Sequence, residues 1–283
     1  MALFKKNNSR SVWGNLVVFS FLLLFGVFFA FPLFYAIVTA FKPMNEIFIF
    51  PPRLFVANPT WKNFARLNQM MADFWVPLSR YVFNSLLVSV VGTVAHLLLS
   101  SMAAYPLAKH KFPGNRWVKT VVVLSLLFTP SVTYLPQYIT LASMNMVNTY
   151  FAAILPAVQS SLGLYLMMNF MSTIPDAVLE AARIDGASER KIYWRIVMPN
   201  VKPAWLTLTI FCFQGLWNGT GGGMLYSESL KMFPAVMAQI TAGGIARVGI
   251  GSAAALILML PPLLIFILSQ SSIIETMSTS GIK

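Results

Sequence analysis

Apolar residues gather into long runs along this 283-residue chain, and six of the runs, 16–40, 81–105, 118–141, 150–171, 198–217 and 251–269, have transmembrane length. A bilayer core about 30 Å thick needs roughly 20 apolar residues per helix. The pattern therefore predicts an all-α membrane protein with six transmembrane helices. Lys5, Lys6 and Arg10 precede the first run as in a secretory signal, but its apolar stretch far exceeds the roughly 7–15 residues of a signal core. A retained membrane anchor is expected. Two connections are long: 41–80, rich in proline and aromatic residues, and 218–250, which opens with Gly219, Gly221, Gly222 and Gly223. Both read as the external mouth, with the glycines permitting tight bends. No repeat of 20 to 50 residues and no linker divides the chain. The expected organisation is an amino tail 1–15, one transmembrane domain 16–271 and a carboxyl tail 272–283.

Composition agrees. Hydrophobic residues make up 57% of the chain and charged residues 10%, against roughly 25% charged in soluble domains. The net charge of +12 comes from basic residues dispersed beside the apolar runs, which argues against nucleic acid and for topology. The amino tail, the loop after the second run (Lys109, Lys111, Arg116, Lys119), the polar stretch 173–203 (Arg183, Arg190, Lys191, Arg195, Lys202) and Lys283 carry 13 of the 20 basic residues, and the opposite side carries 7. The positive-inside rule makes the richer side cytoplasmic, with both termini inside. Cys212, alone in an apolar run, excludes an intrachain disulfide and a thiolate metal cluster.

The stretch 173–203 is a polar island between apolar runs. Thr173-Ile174-Pro175-Asp176 offers a cap, a proline for the first turn and an acid at the positive helix end. Ala177 to Ala182 continue the helix, Gly186 can end it in the left-handed conformation, and Ser188 can cap a second helix through Ile192 and Ile196 to Pro199. Ala177, Ala181 and Ala182 would let another protein approach the backbone closely, while Glu180 and Asp185 offer carboxylates to its basic groups. A helix lying on lipid would favour bulky apolar residues opposite a basic face. Alanines and acids dominate here instead.

This island resembles the EAA loop of ABC importer permeases, the cytoplasmic element that docks a membrane subunit onto its ATPase. The pattern E-A-A, three residues, Gly, nine residues, I-x-L-P is met by Glu180, Ala181, Ala182, Gly186, Ile196 and Pro199, with Met198 in place of the usual Leu. The exchange keeps an unbranched apolar side chain of similar volume. Nearly end to end, the chain is similar to the six-span subunit of maltose-importer-type carbohydrate permeases: Pro32-Leu33-Phe34-Tyr35, Phe41-Lys42-Pro43, Asn84-Ser85, Pro136-Gln137-Tyr138, Trp217-Asn218 and the segment from Ile274 to Lys283 carry that similarity. The final Thr-Ser-Gly-Ile-Lys resembles the branch associated with complex oligosaccharides. The resemblance implies a type I importer in a prokaryotic plasma membrane, with a second, different permease, two ATPases and an extracytoplasmic solute-binding protein. It also implies that ATP and Mg bind the ATPases and that this chain holds no cofactor. Independently, no G-x-x-x-x-G-K-[ST] occurs, so ATP hydrolysis must lie elsewhere.

The alternative is a secondary transporter or facilitative pore for a small polar solute. Ion-coupled carriers place acids or bases within their spans, whereas the six runs contain no Asp or Glu. His96 is the ionisable residue at depth, and a neutral histidine bonded between helices accounts for it. A membrane enzyme would need a nucleophile with a base, or a metal cluster; two histidines and no H-E-x-x-H supply neither. Sugars are bound by aromatic faces and amides together, which makes Tyr138, Gln159, Asn169, Gln214, Trp217 and Asn218 candidates for a solute path if they face it. The same residue types also join helices and mark the bilayer interface.

Overall fold

The computed structural model describes residues 12–72 and 75–280. Lys5, Lys6, Arg10 and Lys283 lie outside the described residues. Within them the chain is helical with no strand, in the order α1 (Val12–Phe41), α2 (Met44–Ile47), α3 (Lys62–Ala72), α4 (Leu78–Lys109), α5 (Asn115–Ser125), α6 (Pro130–Ser143), α7 (Tyr150–Val158), α8 (Ser161–Ser172), α9 (Asp176–Ile184), α10 (Glu189–Ile192), α11 (Met198–Asn200), α12 (Lys202–Trp217), α13 (Phe233–Thr241) and α14 (Val248–Ser280). A π-helical turn, Tyr193–Val197, joins α10 to α11.

Four of the six predicted spans are helices long and apolar enough to cross a bilayer: Trp13–Phe41, Leu78–Lys109, Tyr150–Ser172 and Ile245–Gln270. A fifth exists if Glu189–Asn200 and Lys202–Trp217, bent by 76°, count together. The run 118–141 is a correction to the sequence reading, because it forms α5 and α6 with a break between them. Pro130 opens α6 and has no N–H to carry a helix across the junction. Helix α14 also continues past residue 271 to Ser280, within the stretch read as a tail.

The chain forms two compact units, Met1–Gln69 with Ile240–Ile257 and Met70–Gln239 with Leu258–Lys283. In the first, α1 is apolar on every side, and large side chains from Trp13 to Ile37 are exposed around it. A helix hydrophobic all round belongs in lipid or among other helices. Its carboxyl end is finished by Asn63, whose amide donates to the carbonyls of Ala40 (2.9 Å) and Lys42 (2.8 Å). Gly249 lets the helices come together there, since a β-carbon on it would lie 2.8 Å from Asn63 Oδ1. In the adjoining connection, Glu46 accepts from the backbone N–H groups of Ala57 (3.0 Å) and Asn58 (2.9 Å).

The second unit is organised around α4, whose buried face carries Asn84, Ser85, Ser89, Thr93, His96, Ser100 and Ser101 at helical spacing. Small and polar residues suit helix contacts in lipid, where burial of apolar surface gives helices no reason to associate. Helices α7, α8 and α12 pack on it. Gly92 and Gly163 mark the closest approaches: a β-carbon on either would collide with Leu216 Cδ1 (2.5 Å) or His96 Nε2 (2.2 Å). His96 Nδ1 lies 3.1 Å from the Val158 carbonyl, a bond between helices.

Candidate functional site: the docking loop

The polar island folds largely as its residues dictate. Helix α9 begins at Asp176 after Pro175, and its carboxyl end is closed by Ala187 N–H to Ala182 O (2.9 Å) around Gly186 at φ +76°. That conformation costs an L-residue about 1 kcal/mol or more, which is why glycine stands there. Ser188 Oγ then accepts from the Lys191 N–H and caps α10. Thr173 differs from expectation: it ends α8, its hydroxyl donating to Phe170 O, and does not cap α9.

The loop has an inner and an outer side. Leu179, Ile192, Tyr193 and Val197 are buried in one cluster with Ala104 and Tyr105 of α4, Met167 and Met171 of α8, and Ala204 and Leu208 of α12. Ala182 and Ile196 lean against this cluster, half-buried, so they support the loop from beneath. Glu180, Ala181, Asp185, Gly186 and Pro199 are exposed, and with them Ala177 and Val178. Ile184, at the tip of α9, is 86% exposed. Sequence reasoning missed it, although an isoleucine two residues before the helix-ending glycine was visible. Glu180 and Asp185 form no ion pair among the described residues.

Electrostatic ties fix the loop to the end of α4. Lys109 donates to the Ile174 carbonyl and to Asp176 Oδ1 (2.8 Å), and the latter hydrogen bond, with the charge behind it, holds the Asp176 carboxyl below the ordinary range. Glu189 accepts from Arg183 Nε (2.8 Å) and from the Tyr105 hydroxyl (2.7 Å), and these bonds, Arg183 first, lower its pKa. The Ser101 and Tyr193 hydroxyls meet at 2.6 Å beneath it.

The solute-path candidates are scattered. Gln159 lines a cavity of about 660 Å³ between α6 and α7, together with Gln137, Thr133 and Thr140. Tyr138, Asn169 and Asn218 are exposed and Gln214 is half-buried. Trp217 has no exposure: its ring stacks on Phe213 and its indole N–H donates to Leu258 O (2.7 Å), so it joins helices. No side-chain hydrogen bond links these six residues among those described.

Comparisons with known proteins fit this architecture. Protein LplC of Bacillus subtilis is 32% identical over 180 residues, a match spanning 59% of this chain and 60% of that protein. The sn-glycerol-3-phosphate transport system permease protein UgpE of Yersinia enterocolitica is 29% identical over 85% of this chain and 87% of its own. The arabinooligosaccharides transport system permease protein AraQ of Halalkalibacterium halodurans is 27% identical over 99% of both. In fold, the chain matches a crystal structure of a bacterial ABC transporter involved in alginate import, with a TM-score of 0.77 at 20% identity, over 95% of this chain and 98% of that one. The model of the family described as binding-protein-dependent transport system inner membrane component matches residues 96–273, and this chain belongs to that family, as a permease subunit of an ABC transporter and not an enzyme.

Proposed function

We propose that this permease serves an importer of carbohydrate, an oligosaccharide in particular, and that it works by alternating access. Two ATPases on the cytoplasmic side carry ATP and Mg, a second, different permease completes the membrane path, and an extracytoplasmic binding protein delivers the solute. The observation that carries this reading is the two-sided docking loop. Its outer face, small at Ala177 and Ala181, acidic at Glu180 and Asp185 and apolar at Ile184, is shaped for a socket. Its inner face is continuous with the packing of α4, α8 and α12, so a displacement of the loop reaches the spans as rigid-body motion. The 13 to 7 division of basic residues supports a cytoplasmic loop and cytoplasmic termini. AraQ supports an oligosaccharide by its name, and the amides and hydroxyls of Gln137, Thr140 and Gln159 suit sugar hydroxyls where α6 and α7 enclose their cavity. We place the permease domain at 16–271 with cytoplasmic tails on either side.

The test uses the whole transporter in proteoliposomes. Ile184→Asp and Gly186→Val should each leave permease abundance near normal while ATP-dependent uptake falls about tenfold or more, because a carboxylate entering an apolar socket is strongly penalised. ATPase co-purification should fall with it. Normal coupling in both variants would remove the docking role. Uptake of labelled arabinooligosaccharide but not of glycerol 3-phosphate is expected, and the reverse would overturn the carbohydrate assignment. Impermeant thiol labelling should reach Ser188→Cys from the cytoplasm and Tyr226→Cys, 70% exposed in the wild type, from outside.

A further inference from the structure

Beside the docking loop, and sharing the Lys109–Asp176 pair with it, lies a second concave site. It is a cavity of about 740 Å³ where α4 ends and α5 begins, and Lys111, Arg116 and Lys119 line it together with Lys109 and Asp176. Its shape is built. Asn115 Nδ2 donates to the carbonyls of His110 (2.7 Å) and Leu107 (3.3 Å), and Gly114, at φ +88°, turns the chain into α5. Asp176 is the carboxylate of the lining, and Lys109 neutralises it at 2.8 Å. Lys111, Arg116 and Lys119 have no ion-pair partner among the described residues, so three positive charges face one hollow. The first turn of α5 adds the positive end of an 11-residue helix. Apolar surface borders these charges: Trp117 is 73% exposed and Phe112 40% exposed.

We propose that this cavity binds the phosphodiester headgroup of an anionic phospholipid. The site lies at the end of a 32-residue span, where headgroups lie, and on the same side of the molecule as the docking loop, since Asp176 belongs to both. A free phosphate would use the cations alone. A lipid also uses the apolar border, with the indole of Trp117 at the depth where tryptophans settle in a bilayer and the acyl chains leaving along α5. A zwitterionic headgroup brings its own ammonium into a hollow that already carries surplus positive charge, so an anionic headgroup is selected. The inner leaflet as its source rests on the orientation proposed above; headgroup binding itself does not.

The assembled transporter is purified in mild detergent, offered equimolar phosphatidylglycerol and phosphatidylcholine, washed, and its retained lipid counted by mass spectrometry. The wild-type complex should keep phosphatidylglycerol in preference to phosphatidylcholine by about tenfold, a measurement that depends on no variant folding. Changing Lys111, Arg116 and Lys119 together to Gln should abolish the preference, while the same change at Arg53, Lys62 and Arg66 should preserve it. Millimolar inorganic phosphate should leave the lipid in place. Equal retention of both lipids by the wild type, an unchanged preference in the triple variant, or displacement by phosphate would each overturn the proposal. So would a triple variant that keeps its lipid and loses its ATPase, which would make the cations a protein contact. Orientation is read separately by the labelling at Ser188, so the two ideas can fail independently.

Discussion

Helix α4 is pinned at both ends by the same device, and the two ends differ in how complete they are. Near its start the Tyr81 hydroxyl donates to Glu228, which also pairs with Lys231; near its end the Tyr105 hydroxyl donates to Glu189, which also pairs with Arg183. At the first end the side chains of Asn84, Ser85 and Asn148 all find partners within the chain. Asn84 donates to the carbonyls of Ser229 (2.9 Å) and Lys231 (3.0 Å) and accepts from Tyr150, Ser85 accepts from the Phe233 N–H, and Asn148 accepts from the N–H groups of Tyr226 and Ser227. At the second end the inner face is equally settled, yet Ile184 projects and Glu180 and Asp185 stand without ion pairs among the described residues. One connection is finished by its own residues. The other leaves its outer face open, as the proposed docking onto an ATPase requires.

That contrast can be broken most forcefully at Asn84. Asn84→Ala leaves two carbonyls and the Tyr150 hydroxyl without their buried partner, and thermal unfolding of the purified transporter should show a loss of about 2–4 kcal/mol. ATPase binding by the folded fraction should be unchanged, because the defect lies at the finished end. Equal loss of ATPase would mean that the ends are not independent. A smaller effect is expected from Tyr105→Phe, which removes one hydrogen bond to a carboxylate, about 1.5–3 kcal/mol at most and less at this partly exposed site. Hydrogen exchange should then quicken in α9 and not in 218–232; uniform quickening would contradict a local tie.

The smallest effect is a pH dependence. Asp176 and Glu189 are held below their ordinary values of 3.8 and 4.5 by Lys109 and Arg183. Their ties are therefore fully present above those ordinary values and fade as pH falls through the lowered ones. Exchange protection of α9, corrected for intrinsic rates, should be flat from pH 6 to 8 and should decline only below about 4.5. A decline beginning near pH 6.5 would contradict a tie held by these two carboxylates.

Much of this was legible because it is local. Run length gave the long helices, and the order Pro175, Gly186, Ser188 gave the ends of α9 and the start of α10 through conformations that those residues favour on their own. The rest depends on distant partners. Trp217 has the ring and N–H that suit a sugar, but its indole N–H is taken by the carbonyl of Leu258, 41 residues away. The break after α5 had a visible proline, Pro130, but hydrophobicity alone runs straight through it. The exposed Ile184 and the half-buried Ala182 could not be told apart from spacing, since which side of α9 is covered is decided by Met167, Met171 and Ile192.

The 76° bend between Glu189–Asn200 and Lys202–Trp217, with its π-helical turn and the prolines Pro199 and Pro203, has a mechanical meaning. Two arms joined near a right angle form a bell crank. At 1.5 Å per residue the arm beneath the docking loop is about 18 Å long and the arm formed by α12 about 24 Å. A tangential push of about 1 Å on the shorter arm would turn the crank by about 3° and carry the far end of α12 through about 1.3 Å, at 76° to the direction in which a straight helix would have moved it. Under the proposed docking role, the elbow would pass a displacement of the loop into α12, with the stroke set by arm lengths already fixed in the sequence.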